Sequence, residues 1–180
     1  MESFYDWGSI NLNNKEKLIQ DNYSKVNQIS ARCMRVIVAI LALAFVYCYF
    51  GTDMDESVLI VFFASAIFIA LIPTLIINIL KFDHAPVTKH IVIICVCLIA
   101  TLMLTLLSTY AYPIMLFPIL LASLYYNQTL VLFASLLMSC GIVGSNYFAF
   151  RFSDVFIGFP CESFEEVMMS YVVPQIVVVF

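Results

Sequence analysis

The sequence predicts an all-α protein: a polytopic transmembrane helix bundle of about six spans, with an N-terminal cytoplasmic amphipathic helix. Of its 180 residues, 63% are hydrophobic and only 11% are charged, whereas soluble domains carry roughly 25% charged residues. No Asp, Glu, Lys, Arg or His occurs within 36–52, 57–80 or 91–150. One charge at the bilayer centre costs about 2.5–3.5 kcal/mol on insertion scales. Long charge-free stretches are therefore typical of segments that lie in lipid.

Residues 1–33 form the predicted cytoplasmic region, a tail followed by the amphipathic helix. Asn13 and Glu16 resemble a capping box. Beyond them, apolar side chains recur at intervals of three and four, at Ile19, Tyr23, Val26, Ile29 and Cys33. The pattern predicts a helix leading into the first span, lying either at the membrane surface or in solvent. The first apolar run begins too late for a cleavable signal peptide.

Residues 34–180 form the predicted transmembrane domain. A span needs about 20 apolar residues, so the uncharged block 91–126 is too long for one helix. Pro113 and Pro118 divide it into two short spans, and Pro73 predicts a kink in the second span. The predicted spans are 34–50, 58–80, 91–107, 112–126, 130–150 and 167–180.

The last apolar run, 167–180, is short for a membrane span. Its 14 residues make about 21 Å of helix, whereas the hydrocarbon core is roughly 30 Å thick. We therefore expect a truncated sixth span, and the chain to be the N-terminal part of a longer polypeptide. In this topology the following segment would emerge in the cytoplasm.

The distribution of basic residues predicts the orientation. With a cytoplasmic N-terminus and five crossings before the last loop, only Arg151 lies outside, and seven of the eight basic residues lie inside: Lys15, Lys17, Lys25, Arg32, Arg35, Lys81 and Lys89. A single span over 91–126 would place all eight inside, so the positive-inside rule accepts both topologies. Helix length and Pro113 favour the split. The predicted location is the plasma membrane, with multiple passes and the N-terminus in the cytoplasm.

No pattern in the chain indicates catalysis. The sequence has no nucleophile, metal-protease or phosphate-loop motif and no nucleic-acid-binding patch. The six cysteines lie mostly in apolar runs and are interpreted as small buried hydrophobes. The sequence therefore predicts no catalytic residue, no metal site and no cofactor. The expected partner is the lipid bilayer, not nucleic acid.

Four polar side chains are candidate ligand-binding residues. Asn146 and Tyr147, near the outer end of the fifth span, are expected to line an outward-facing cavity. Tyr110 and Tyr112 lie at the proposed outer turn. The alternative interpretation places these tyrosines in the aromatic belt at the membrane boundary.

Part of the chain resembles a known class of sensory region. The segment YPIMLFPILLASLYYN at 112–127, the span ending SNYF at 145–148, the charged leader and the short basic loop after the second span carry the likeness. They are similar to the N-terminal multi-pass membrane regions of bacterial receptor diguanylate cyclases of the GGDEF type and of related histidine kinases. Those regions define no catalytic residues, so the resemblance transfers none.

The resemblance implies a sensory and anchoring module. A small-molecule ligand or a change of membrane state would shift helix packing and bias a cytoplasmic output domain that these residues do not include. It also implies a homodimer, since such output domains work in pairs. The alternative function is a small substrate-binding membrane component of an energy-coupling-factor importer, which has similar size and also lacks catalytic groups.

Overall fold

The computed structural model of the chain describes residues 3–51, 55–107, 113–151 and 163–180, with side chains from Lys17 onwards except that of Leu107. The structure is built from helices, and these ranges contain no strand, so the all-α prediction is confirmed. The helices are α1 Ser3–Gly51, α2 Glu56–Thr74, α3 Thr88–Leu107, α4 Leu116–Ser123, α5 Gln128–Arg151, α6 Phe164–Val167 and α7 Val173–Val179.

Four of these helices are long and apolar enough to cross a membrane. They cover Lys17–Gly51, Glu56–Ile79, Thr88–Leu106 and Gln128–Arg151, while the apolar helix Pro113–Ser123 is shorter. Large apolar side chains such as Val36, Leu43 and Phe68 face outward, which suits contact with lipid. This arrangement is consistent with a multi-pass membrane protein. The count of six spans is not confirmed.

Helix α1 joins the charged leader to the first span in one rod. It begins at Ser3 rather than at the predicted cap Asn13, and its 49 residues correspond to about 73 Å. The separate amphipathic helix is not confirmed, because no break occurs where the apolar run begins. Of the apolar side chains in the predicted pattern, Val26 is buried, whereas Ile19 and Ile29 are exposed.

The long helices pack mostly as sequential neighbours. Helices α1 and α2 are antiparallel, since Phe45 contacts Phe63 with ring centroids 5.5 Å apart. At the other end of the pair, the Thr74 hydroxyl donates to the Ala31 carbonyl at 3.5 Å. Helix α2 packs on α3, which in turn packs on α5. Buried side chains from all four helices form one apolar core, with Met34, Phe63, Ile93 and Met138 among the most deeply buried.

Helices α3 and α5 run in the same direction. His90 contacts Phe133 near the start of both helices, with ring centroids 5.9 Å apart, and Thr101 contacts Gly141 further along. After α3 the chain must therefore return to the end of the bundle where α3 began before α5 can start. Helix α4 packs on both α3 and α5 and forms the last part of this return. A chain that runs along α3 and then returns agrees with the predicted division of residues 91–126 into two segments. The boundaries of these two spans stay a prediction.

Two prolines lie beside wide π-helical turns. Pro73, near the end of α2, precedes the π turn Leu75–Ile79, where the Leu80 amide donates to the Leu75 carbonyl at 3.1 Å. The π turn Met168–Val172 lies between α6 and α7 and just precedes Pro174. A proline removes an amide donor and crowds the preceding turn, and π turns are a common form of such irregularity. A π turn thus begins two residues after Pro73, and the kink at Pro73 stays a prediction.

Candidate functional site

A polar junction lies where α1 meets the α2–α3 loop and the α4–α5 turn. Asn27 of α1 is fully buried and bonds to both connections. Its Nδ2 donates to the backbone carbonyl of Asp83 at 2.6 Å, and its Oδ1 accepts from the Tyr125 hydroxyl at 2.7 Å. One carboxamide therefore holds together three segments that are far apart in sequence. Below, the polar junction means Ser24, Asn27, Gln28, Asp83 and Tyr125.

The Asp83 carboxylate receives two further donors from α1. The Ser24 hydroxyl donates to Oδ2 at 2.8 Å, and Gln28 Nε2 donates to the same oxygen at 3.3 Å. His84 Nε2 lies 3.7 Å from this oxygen. The hydrogen bond from Ser24, joined by that from Gln28 and by the neighbouring His84, lowers the pKa of Asp83 below its usual value. The ionised form is therefore the one that the junction binds.

Local sequence explains why these side chains reach one another. Ser24, Asn27 and Gln28 are spaced by three and four, so they share one face of α1. After the π turn, Lys81 adopts a left-handed conformation with φ of 55°, which ends the helix and turns the loop toward α1. Asn127 caps α5 by accepting from the Leu130 amide at 3.2 Å, and this places Tyr125 just before the cap.

A second feature is an apolar cleft between α1, α3 and α4. It has a volume of about 430 Å³, and its walls are hydrophobic. Helix α1 contributes Leu41 and Ala44, α3 contributes Met103, and the chain entering α4 contributes Pro113 and Phe117. Such walls suit an apolar group, because they provide no hydrogen-bonding partner for a polar one. Below, the apolar cleft means this space.

The apolar cleft and the polar junction belong to the same helices. Along α1, Asn27 of the junction lies 14 residues before Leu41 of the cleft, which is about 21 Å of helix. The chain from Pro113 to Tyr125 runs from the cleft to the junction. Helix α3 begins at the junction end and lines the cleft from Val96 to Met103. The two features are therefore connected through continuous chain.

The predicted ligand-binding residues do not form one group among the residues that the structure describes. Asn146 is buried, and its Nδ2 donates to Gln175 Oε1 at 3.0 Å and to the Ile142 carbonyl at 2.8 Å. Tyr147 is half exposed, and its ring meets that of Phe164 edge-on at 5.2 Å. Tyr110 and Tyr112 lie outside the described residues. A ligand-binding role for the four stays a prediction.

The chain matches no family model, no curated protein and no solved structure. The two features above are therefore interpreted from their own chemistry.

Sequence reasoning missed the junction and the partner of Asn146. Asn27 interrupts an apolar pattern at a helical spacing, and Gln175 is a lone amide in an apolar run. Either observation is a usable signal, because an uncharged polar side chain in such a helix seeks a hydrogen-bonding partner on another helix. The signal names the residue but not its partner.

Proposed function

We propose that the chain is the membrane-embedded sensory and anchoring region of a signalling protein. An apolar molecule or lipid chain entering the apolar cleft changes the packing of α1, α3 and α4. The polar junction passes this change to the part of α1 that extends beyond the bundle. The observation that carries the proposal is that the cleft lies between α1, α3 and α4, while α1, the loop before α3 and the turn after α4 meet at the junction.

The proposal extends to topology and output. In it, the junction end faces the cytoplasm of a bacterial plasma membrane, where the positive-inside rule places most of the basic residues. The short helix α4 and the 164–179 segment supply the fourth and sixth passages. A diguanylate cyclase or histidine kinase domain, acting as a homodimer, receives the signal. The resemblance described above supports this output.

A cleft-filling variant tests the coupling. Ala44→Phe places a large ring in the apolar cleft, whereas Ala42→Phe places the same ring on the exposed side of α1. Amide hydrogen exchange is measured for 23–30 and 81–87 in detergent or nanodiscs. We expect Ala44→Phe to increase exchange at the junction several-fold because the helices separate. Equal exchange in Ala44→Phe, Ala42→Phe and the parent would overturn the coupling.

The output assignment has its own test. The coding sequence that follows the codon for Phe180 is read in the native gene. A GGDEF or kinase domain in the same frame supports the proposed output. A stop codon beside a gene for an ATPase supports the importer component instead and removes the signalling assignment.

A further inference from the structure

Lys89 is a buried cation without an anionic partner among the residues whose side chains the structure describes. Only 8% of it is exposed, and its Nζ lies 4.3 Å from the centroid of the Tyr23 ring. A ring face attracts a cation, but it leaves the three N–H donors of an ammonium without acceptors. Among the residues with described side chains, the only ion pair at this end joins His84 to Asp83. The ammonium is therefore ready to receive an anion.

The whole junction end of the described bundle is positively charged. Six basic side chains lie there from residue 17 onwards, against two carboxylates, Asp21 and Asp83. Asp83 is already engaged by Ser24 and Gln28. The basic residues other than Lys89 are exposed: Lys17, Lys25, Arg32, Arg35 and Lys81. The excess charge favours an anionic partner at this end.

Two surface grooves meet at Tyr23, beside Lys89. One, of about 270 Å³, includes Gln20, His84 and Pro86, and the other, of about 250 Å³, includes Tyr125 and Tyr126. Both grooves have mostly apolar walls that include a few polar groups. This mixture suits the boundary of a membrane, where apolar chains and polar headgroups meet. Tyrosines commonly lie at this boundary.

We propose that the groove at Tyr23 binds the headgroup of an anionic phospholipid, with Lys89 as the cation that holds the phosphodiester. The phosphate oxygens supply the acceptors that the Lys89 ammonium lacks. A lipid is favoured over free phosphate because α3 enters its apolar span directly at Thr88, which places Lys89 at the level of the headgroups. This inference rests on the membrane placement and does not depend on signalling.

A lipid titration tests the site. The purified chain in a nonionic detergent receives phosphatidylglycerol or phosphatidylcholine, and lipid adducts are counted by native mass spectrometry of the folded protein. We expect phosphatidylglycerol to bind more tightly than phosphatidylcholine. Lys89→Met weakens the phosphatidylglycerol affinity about tenfold or more, as the loss of a charge-assisted hydrogen bond implies. Lys89→Arg, which keeps the charge, retains most of the affinity and guards against loss of folding.

Lys25→Met removes an exposed charge from the same end and is the matched control, with an expected change below about twofold. Three results would overturn the proposal. The first is parental affinity in Lys89→Met, and the second is an equal loss in Lys25→Met, which would mean diffuse attraction. The third is equal stabilisation of the protein by inorganic phosphate, which would mean that the site does not select a lipid.

Discussion

At the scale of single residues, the junction shows how buried polar atoms are satisfied. Tyr125 is 1% exposed and its neighbour Tyr126 is 89% exposed, although both residues are tyrosines in the same turn. The hydroxyl of Tyr125 has a protein acceptor in Asn27, whereas an exposed hydroxyl is free to bond with solvent or lipid headgroups. The two tyrosines therefore differ in what their hydroxyls contribute to stability.

Removing each hydroxyl separates these contributions. Tyr125→Phe leaves the side-chain Oδ1 of Asn27 buried without a donor, so we expect the free energy of unfolding to fall by about 1–2 kcal/mol. Tyr126→Phe is expected to change it by less than about 0.5 kcal/mol. Reversible unfolding in mixed detergent and dodecyl sulfate measures both. Equal stability in the two variants would show that the junction bond does not form.

At the scale of helices, α3 and α5 approach each other closely at Gly141. A Cβ added at Gly141 would overlap the Thr101 hydroxyl and lie 3.4 Å from the Thr101 Cβ, while one added at Gly144 would meet nothing within 4 Å. Thr101 cannot turn away freely, because its hydroxyl donates to the Cys97 carbonyl at 2.8 Å. Small residues of this kind let membrane helices pack closely.

The two glycines predict opposite responses to alanine. Gly141→Ala forces α3 and α5 apart and is expected to destabilise the protein by about 1–3 kcal/mol, as overpacking does elsewhere. Gly144→Ala stiffens the helix without a clash and is expected to stabilise it by about 0.5–1 kcal/mol. Thermal unfolding in one detergent compares them. A loss of stability in Gly144→Ala as large as that in Gly141→Ala would contradict the close approach.

The chain after α5 is held to it by two polar contacts. Gln175 bonds to Asn146, and the Ser135 hydroxyl donates to the Val179 carbonyl at 3.3 Å. Both contacts are buried, where water cannot substitute for the missing partner. Ser135, early in α5, bonds to Val179 at the end of α7, and Asn146, late in α5, bonds to the earlier Gln175. The segment 164–179 therefore runs antiparallel to α5.

A double-mutant cycle measures the amide pair. Asn146→Leu and Gln175→Leu each remove one partner, and the double variant removes both. We expect a coupling energy of about 0.6 kcal/mol, with an upper bound near 1.7 kcal/mol, the range of interhelical hydrogen bonds in membrane proteins. The cycle is read from unfolding midpoints. A coupling of zero would mean that the amide pair does not help to hold α7 against α5.

At the scale of the whole molecule, charge and apolar surface are segregated. The described helices are apolar over most of their length, and their basic residues gather at the junction end, with Arg151 at the opposite end of α5. The charges thereby avoid the interior of the bilayer. The segregation also predicts which end faces the cytoplasm.

Thiol labelling in intact cells tests that orientation. In a background without the native cysteines, Arg151→Cys is expected to react with a membrane-impermeant maleimide. Tyr126→Cys, which is exposed at the junction end, is expected to react only after the cells are permeabilised. The reverse pattern would place the N-terminus outside, and labelling of both in intact cells would indicate that the segment between them does not cross.

The sequence by itself predicted the secondary structure and favoured a lipid environment. Long charge-free runs are typical of segments that lie in lipid, where a helix bonds each backbone amide within its own segment. The junction was not predictable in this way. The apolar spacing around Tyr23 and Val26 predicted an amphipathic helix, but it did not show that Asn27 and Ala31 of this helix are fully buried.

Only the tertiary structure decided which polar atoms meet. Asn27 bonds to residues 56 and 98 positions away, and Asn146 to one 29 positions away. Helical periodicity shows which side chains share a face, but such bonds depend on the distance, direction and register of separate helices. Those are set by close packing, such as that of Gly141 against Thr101, and by the turns that follow the π segment and α4. The polar residues were visible in the chain, and their partners emerged only on folding.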